Sequence, residues 1–269
     1  MNAESNQIKP TVDLSVVMPC LDEVETIGGC IAECLNTFSS ANLRGEIVVG
    51  DNGSTDGSQE LSQSMGARVI AVPLRGYGAA LLAAVRACSA EFVVMGDSDG
   101  SYDFSQIPLF LTRLLEGNQL VVGDRFSGGI ELGAMPWMNR YIGNPFLTNV
   151  GRILFHSDVR DFHCGIRAFR RDAILGLGLE CPGMEFASEM IAKSALAGLR
   201  IGQVPATLRK DGRSRPPHLR PWRDGWRHLS YMLNERIAFV PVRQSPIANP
   251  SLLEMKNENC KTKKGRTVI

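Results

Sequence analysis

Two carboxylates one residue apart, Asp97 and Asp99, stand in Met95-Gly96-Asp97-Ser98-Asp99-Gly100-Ser101, directly after the apolar run Phe92-Val93-Val94. Mg²⁺ and Mn²⁺ take hard oxygen ligands and keep several positions for water or phosphate, so one or two carboxylates suffice when a substrate brings its own oxygens. A diphosphate would be such a substrate. Asp-Ser-Asp-Gly is also good turn chemistry, so the pair alone fits either a metal clamp or a turn. A second acidic strand ending follows Glu46-Ile47-Val48-Val49-Gly50, where Asp51 opens the turn-rich loop Asp51-Asn52-Gly53-Ser54-Thr55-Asp56-Gly57-Ser58. Placed there, Asp51 is free to accept a hydrogen bond from a nucleobase N–H. A third, Leu14-Ser15-Val16-Val17-Met18-Pro19-Cys20-Leu21-Asp22-Glu23, again runs from apolar strand into acidic loop. Open α/β sheets bind ligands outside the carboxyl ends of their strands, so the three endings are expected to share one crevice.

The elements that must position them alternate. Strands are expected near 14–18, 46–50, 68–72, 91–96 and 120–124, with helices near 24–38, 57–65, 77–88 and 105–115, the pattern of a mainly parallel sheet flanked by helices. Beyond Phe126 the glycines Gly128, Gly129 and Gly133 and then Pro136 read as a loop, before a helix from about 140 to 155. The 269 residues, 44% hydrophobic, are enough for one such domain. A formal charge of +1 argues against a general nucleic-acid binder. Seven irregularly spaced cysteines suit reduced thiols of a cytosolic compartment, with Cys30 and Cys34 on one core-facing helix side. The four histidines do not fall into zinc-ligand spacing with them. Gly76-Tyr77-Gly78-Ala79-Ala80-Leu81 lacks the third glycine of a dinucleotide fingerprint, and no phosphate-binding Gly-x-x-x-x-Gly-Lys loop occurs. Residues 1–12 are polar and do not read as a signal peptide.

In order, Val16 to Glu23, Asp51 to Gly57, and Asp97-Ser98-Asp99 resemble the nucleotide-sugar half of a family 2 glycosyltransferase of the GT-A class. Val122-Gly123-Asp124-Arg125-Phe126 and Asp161-Phe162-His163-Cys164-Gly165-Ile166-Arg167-Ala168-Phe169-Arg170 resemble its polyprenyl-phosphate branch, similar to dolichol-phosphate mannose or glucose synthases. The resemblance covers roughly residues 14 to 233. It implies an α/β GT-A fold and a metal-dependent, inverting hexosyltransferase that moves a sugar from a nucleoside diphosphate to polyprenyl phosphate. Asp97 and Asp99 would hold Mg²⁺ or Mn²⁺, and Pro19, Leu21, Glu23, Asp51 and Asp97 the nucleotide. Arg125, Arg140 and Arg209 would meet the acceptor phosphate, and Arg75 lies beside the donor. A phosphate monoester, with a second pKa of about 6, needs positioning and charge compensation more than deprotonation, which arginine forks supply. Asp161 is the catalytic candidate: it would orient the acceptor, act as a base, or pair with a buried Arg167. Glu185 and Glu189 line the same cleft or a solvated helix face. Ser101 stands where many lipid-phosphate relatives carry Gln, and Ile166 where Phe is usual; both departures bear on the sugar more than on the reaction.

The expected organisation is a polar tail over 1–12, a catalytic domain over 13–234 with donor half 13–126 and acceptor half 127–234, and a divergent, disordered tail over 235–269. The run Arg209, Lys210, Arg213, Arg215, Arg220, Arg223, Arg227 is interleaved with Trp222, Trp226, Leu229 and Leu233 at helical spacing. Such a helix fits an anionic membrane surface, or else packs its stripe on the domain. No segment after Asn234 approaches the ~20 apolar residues needed to span a bilayer. The expected location is therefore the cytoplasmic face of a membrane, held peripherally or through a membrane-embedded partner protein. The alternatives are transfer to a saccharide or protein hydroxyl, and a non-catalytic subunit that binds nucleotide sugar or lipid.

Overall fold

A computed structural model describes residues 12–215 and 221–238. The strands are β1 (Leu14–Cys20), β2 (Gly45–Asp51), β3 (Arg68–Ala71), β4 (Phe92–Met95), β5 (Leu120–Asp124), β6 (Arg167–Arg170) and β7 (Ile201–Pro205). The helices are α1 (Ile27–Ser40), α2 (Ser58–Ser64), α3 (Tyr77–Ala87), α4 (Ile107–Leu115), α5 (Arg125–Gly128), α6 (Asn144–Phe155), α7 (Arg171–Leu175), α8 (Phe186–Leu196) and α9 (Pro221–Ala238).

The seven strands form one sheet in the order β3-β2-β1-β4-β6-β5-β7. All neighbours are parallel except those of β6, which runs antiparallel to both β4 and β5. Central strands of such a sheet are covered on both faces and so read as continuous apolar runs; Leu14, Val16, Val17 and Met18 of β1 are fully buried. Helix α1 turns Ile27, Cys30, Ile31, Cys34 and Phe38 inward, the 3.6-residue stripe of a helix lying on a sheet.

Strand order reverses at β1: the chain passes outward through β2 and β3, then returns to place β4 on the other side of β1. Ligands of open α/β sheets bind at this switch point, outside the carboxyl ends of the strands. The loops issuing there carry Pro19–Glu23, Asp51–Ser58 and Asp97–Asp99.

Three departures from the sequence reading have local causes. Of the motif Asp161–Arg170 only Arg167–Arg170 pairs in the sheet; the Arg167 side chain folds back onto the carbonyls of Phe162 and Cys164, which holds the preceding residues in a turn. Helix α6 begins at Asn144, with Pro145 in its first turn, after one wide turn over Asn139–Gly143. Strand β7 is not marked by alternation, because it is a short edge strand against β5. Helix α9 packs Asp224, His228 and Met232 inward and leaves Trp226 and Leu233 exposed. It continues to Ala238, past the expected boundary at Asn234. By their contacts the described residues up to Arg236 form one compact unit, and beyond it only Ile237 and Ala238 are described. The expected tails therefore lie almost wholly outside the described residues. Among the described residues no helix is long and apolar enough to cross a membrane.

Candidate active site

The three acid-bearing loops are stitched together by short polar contacts. Ser98 Oγ donates to the carbonyl of Pro19 at 2.6 Å, Asn52 N to that of Cys20 at 2.9 Å, and Asp22 N to Ser54 Oγ at 2.9 Å. Asp22 takes a left-handed backbone (φ 56) at the tip of this loop. The Asp51 carboxylate is buried but not free, contrary to the sequence reading: it accepts from Gly53 N (2.8 Å), Ser54 N (3.1 Å), Ser54 Oγ (2.5 Å) and Gln59 Nε2 (2.8 Å). Turn loops dense in serine and glycine present many donors, and the nearest acceptor collects them. A base N–H would reach Asp51 only by exchanging with one of these.

Asp97 accepts from the Tyr77 hydroxyl at 2.9 Å. Tyr77 opens α3 after Gly76, whose φ of 147 no side chain adopts readily and where a Cβ would lie 2.1 Å from the Pro182 carbonyl oxygen. On the other side of Asp97, a Cβ on Gly165 would come within 2.7 Å of its Oδ2. The Gly165 amide donates to the buried Tyr102 hydroxyl at 2.7 Å. Burial and the neighbouring Asp99 push Asp97 up to about 7, so a cation binding there near neutrality competes with a proton.

Asp99 and Glu23 share one guanidinium. Arg213 Nη2 lies 2.6 Å from Asp99 Oδ2 and Nη1 3.1 Å from Glu23 Oε1, with Asp211 at 3.3 Å. Arg215 approaches the same Glu23 oxygen and donates to the Leu21 carbonyl. Burial pushes Glu23 above its ordinary value, and the two arginines offset this only in part. Among the described residues no three His, Cys, Asp or Glu side chains are arranged to hold a metal. Asp97, held by the Tyr77 hydroxyl, and Asp99, already facing a guanidinium, are nonetheless a fitting pair of hard oxygen donors for Mg²⁺ or Mn²⁺ whose other ligands come from a diphosphate and water.

On the acceptor side the structure corrects the expected partner of Asp161. Arg167 is fully buried but spends its guanidinium on the carbonyls of Cys164, Ala187 and Phe162. Asp161 is instead clasped by Arg125, Nε to Oδ2 at 2.6 Å and Nη2 to Oδ1 at 2.8 Å, and accepts from His163 N as well. Burial opposes the Arg125 charge, yet Asp161 together with Tyr102 and Cys164 raises Arg125 well above its ordinary value. The other two expected acceptor arginines stand elsewhere. Arg140 stacks on the Tyr141 ring, 5.5 Å from its centroid, while Arg209 pairs with Glu33 and Asp103. Glu185 and Glu189 are buried rather than solvated: Glu185 pairs with Arg227, and Glu189 accepts from the amides of Glu180 and Cys181.

Tyr77, Tyr102, Gly165 and Arg213 were not singled out as site residues by sequence reasoning. Arg213 in particular belongs to the basic run that fits a membrane surface or packs on the domain, yet its partners lie 114 and 190 residues away in the chain. No local pattern marks such a pairing.

Among curated proteins, the chain is similar to the low-salt glycan biosynthesis hexosyltransferase Agl6 of Haloferax volcanii, 38% identical over 234 residues. These are 87% of this chain and 55% of that protein, so the chain spans about half its length. It is also similar to a dolichyl-phosphate hexose transferase of the same organism, 35% identical over 199 residues, covering 74% of this chain and 83% of that one. Among solved structures, glucosyl-3-phosphoglycerate synthase from Mycobacterium tuberculosis, in complex with Mn²⁺, UDP and glucosyl-3-phosphoglycerate, superposes with a TM-score of 0.64 at 26% identity. That likeness covers 86% of this chain and 82% of the other, and the shared architecture is the GT-A fold. Residues 15–177 match the family described as "Glycosyl transferase family 2". With the acid-ended strands of its switch point inside that stretch, the chain belongs to glycosyl transferase family 2.

Proposed function

We propose that this chain is an inverting hexosyltransferase that moves a sugar from a nucleoside diphosphate to polyprenyl phosphate presented at a membrane. Asp97 and Asp99 hold Mg²⁺ or Mn²⁺ against the diphosphate, and the Pro19–Glu23 and Asp51–Ser58 loops hold the nucleoside. The Mn²⁺ and UDP in the mycobacterial relative support this half of the reading. When bound, the metal neutralises the charge that develops on the departing nucleoside diphosphate.

A phosphate oxygen of the acceptor attacks the anomeric carbon, the bond to the diphosphate breaks, and its electron pair leaves with the nucleoside diphosphate. The acceptor is already mostly dianionic near neutrality, so no protein base is required. Asp161 then acts through Arg125, fixing the fork that meets the acceptor phosphate.

The observation that carries the acceptor class is a run of exposed apolar side chains over 132–153. Leu132 is 98% exposed, Ile153 75% and Trp137 65%, with Tyr141, Ile142 and Phe146 also exposed. Between Glu131 and Asp158 there is no acidic residue, and Arg140 and Arg152 supply positive charge. At its margin, Arg152 and Arg160 line a hollow with Phe126, Pro145, Thr148 and Asn149. Aromatic and aliphatic side chains beside arginines suit a headgroup interface and a lipid-borne phosphate. The dolichyl-phosphate hexose transferase relative supports the same class.

Transfer from radiolabelled UDP- and GDP-sugars decides it, with polyprenyl phosphate in vesicles, 3-phosphoglycerate, or no acceptor. Label entering the lipid phase only with polyprenyl phosphate is expected. Label on 3-phosphoglycerate alone would move the acceptor to a water-soluble phosphate ester, and no transfer to any acceptor would leave a binding subunit.

A further inference from the structure

Arg213 is held where a cation bound to Asp99 would have to be. Its side chain is 11% exposed, its Nη2 lies 2.6 Å from Asp99 Oδ2, and its Nη1 lies 3.1 Å from Glu23. The segment that carries it runs along the carboxylate loop by main-chain bonds, Arg209 N to the Ser101 carbonyl at 2.8 Å and Gly212 N to that of Asp99 at 2.9 Å. Ser214 N and Oγ anchor its far side on Glu25 at 2.7 and 2.6 Å. The guanidinium is not saturated by these contacts, since its buried Nε has no hydrogen-bond partner. Two carboxylates this buried repel one another unless a positive charge lies between them, and a guanidinium fork is the protein's own means of supplying it.

We propose that Arg213 and the divalent cation compete for Asp99, making Arg213 a positioning residue that sets how tightly the site takes metal. The proposal rests on the reading of Asp97 and Asp99 as the metal carboxylates. A cation binding Asp99 Oδ2 displaces Nη2 but leaves Nη1 on Glu23. Nη2 keeps only the longer contact to Asp211 Oδ2 at 3.3 Å, so it and the unpartnered Nε would be available to the diphosphate that arrives with the metal. Metal binding without the donor must break a buried ion pair, whereas with the donor the displaced guanidinium gains a new anionic partner. The site accordingly takes metal and nucleoside diphosphate together in preference to metal alone.

The test is calorimetric titration of Mn²⁺ alone, and of Mn²⁺ with UDP, into metal-free protein. Arg213→Gln is expected to bind Mn²⁺ alone about tenfold tighter than the parent and to lose most of the gain that UDP gives the parent. Arg209→Gln removes the same charge from the same segment without touching Asp99, and should leave Mn²⁺ affinity within about twofold. Folded Arg213→Gln that binds Mn²⁺ alone no tighter than Arg209→Gln overturns the proposal while leaving the metal reading intact. Absence of Mn²⁺ binding that Asp99→Asn abolishes, in the parent with UDP, overturns the metal reading itself. Should Arg213→Gln fail to fold, hydrogen exchange on the parent decides: Mn²⁺ alone should speed exchange over 211–215, and unchanged or slower exchange overturns the proposal.

Discussion

Replacing Asp161 by Asn tests whether this carboxylate acts through Arg125. The side chain keeps its size but loses the charge that offsets the guanidinium of Arg125, a side chain 8% exposed, at contacts of 2.6 and 2.8 Å. Asn also turns one acceptor into a donor, so one arm of the fork faces an N–H rather than an oxygen. At an effective dielectric of about 20, unit charges 4 Å apart attract by about 4 kcal/mol. Breaking a buried pair by removing one partner costs about 3–5 kcal/mol, because the other charge stays buried and uncompensated. That is a large part of the ~5–15 kcal/mol that holds a domain folded. With Tm falling about 2–4 °C per kcal/mol at this size, the loss is about 6–20 °C. Urea unfolding followed by tryptophan fluorescence measures it, with the slope unchanged. In a double-mutant cycle, Arg125→Met alone should also be costly, yet the double variant should recover at least about 2 kcal/mol of the summed losses, since no lone charge is then left inside. An Asp161→Asn variant within about 1 kcal/mol of the parent that has lost turnover would refute this reasoning and return Asp161 to the role of a base.

Gly165→Ala should keep the fold at a cost of about 1–3 kcal/mol and weaken Mn²⁺·UDP binding, because the new methyl meets Asp97 Oδ2 and the Tyr102 ring; calorimetric affinity equal to the parent's would show that Asp97 does not need that space. Trp137→Ser/Tyr141→Ser should cut partition onto anionic vesicles by about tenfold or more, each large apolar side chain contributing about 1.5–3 kcal/mol on burial; co-sedimentation that is unaffected would move the contact to Trp226 and Leu233 of α9. Burial holds His228 down to about 4, among Ser188, His163, Glu185, Asp224, Arg167 and Arg227. The unfolded chain then binds the extra proton from about pH 6.5 downward, so stability present above pH 6.5 is lost as pH falls toward 4. At about 1.36 kcal/mol per unit the full loss is on the order of 3 kcal/mol, and His228→Gln should flatten the slope of unfolding free energy against pH across that window; an equal slope in the variant would assign the acid lability to other groups.

Backbone periodicity and turn chemistry act over a few residues, and that is the range over which this chain can be read without its fold. The apolar runs Val16–Met18, Ile47–Val49 and Phe92–Met95 admit little but buried strands, and the Asp, Asn, Ser and Gly clusters after them can only be loops. With helices between them, crossover handedness and strand-end geometry bring those loops to one crevice, so their meeting was legible in the chain alone. The tertiary structure decided which charge meets which. Arg125 rather than Arg167 reaches Asp161 because β6 enters the sheet antiparallel, between β4 and β5, and the turn ahead of it satisfies Arg167 with carbonyls. Arg213 meets Asp99 and Glu23 because the chain after β7 returns along the carboxyl edge of the sheet. A buried charge takes the partner that the packed fold brings within about 3 Å, and closing loops of a hundred residues or more leaves no periodic trace in the chain that closes them.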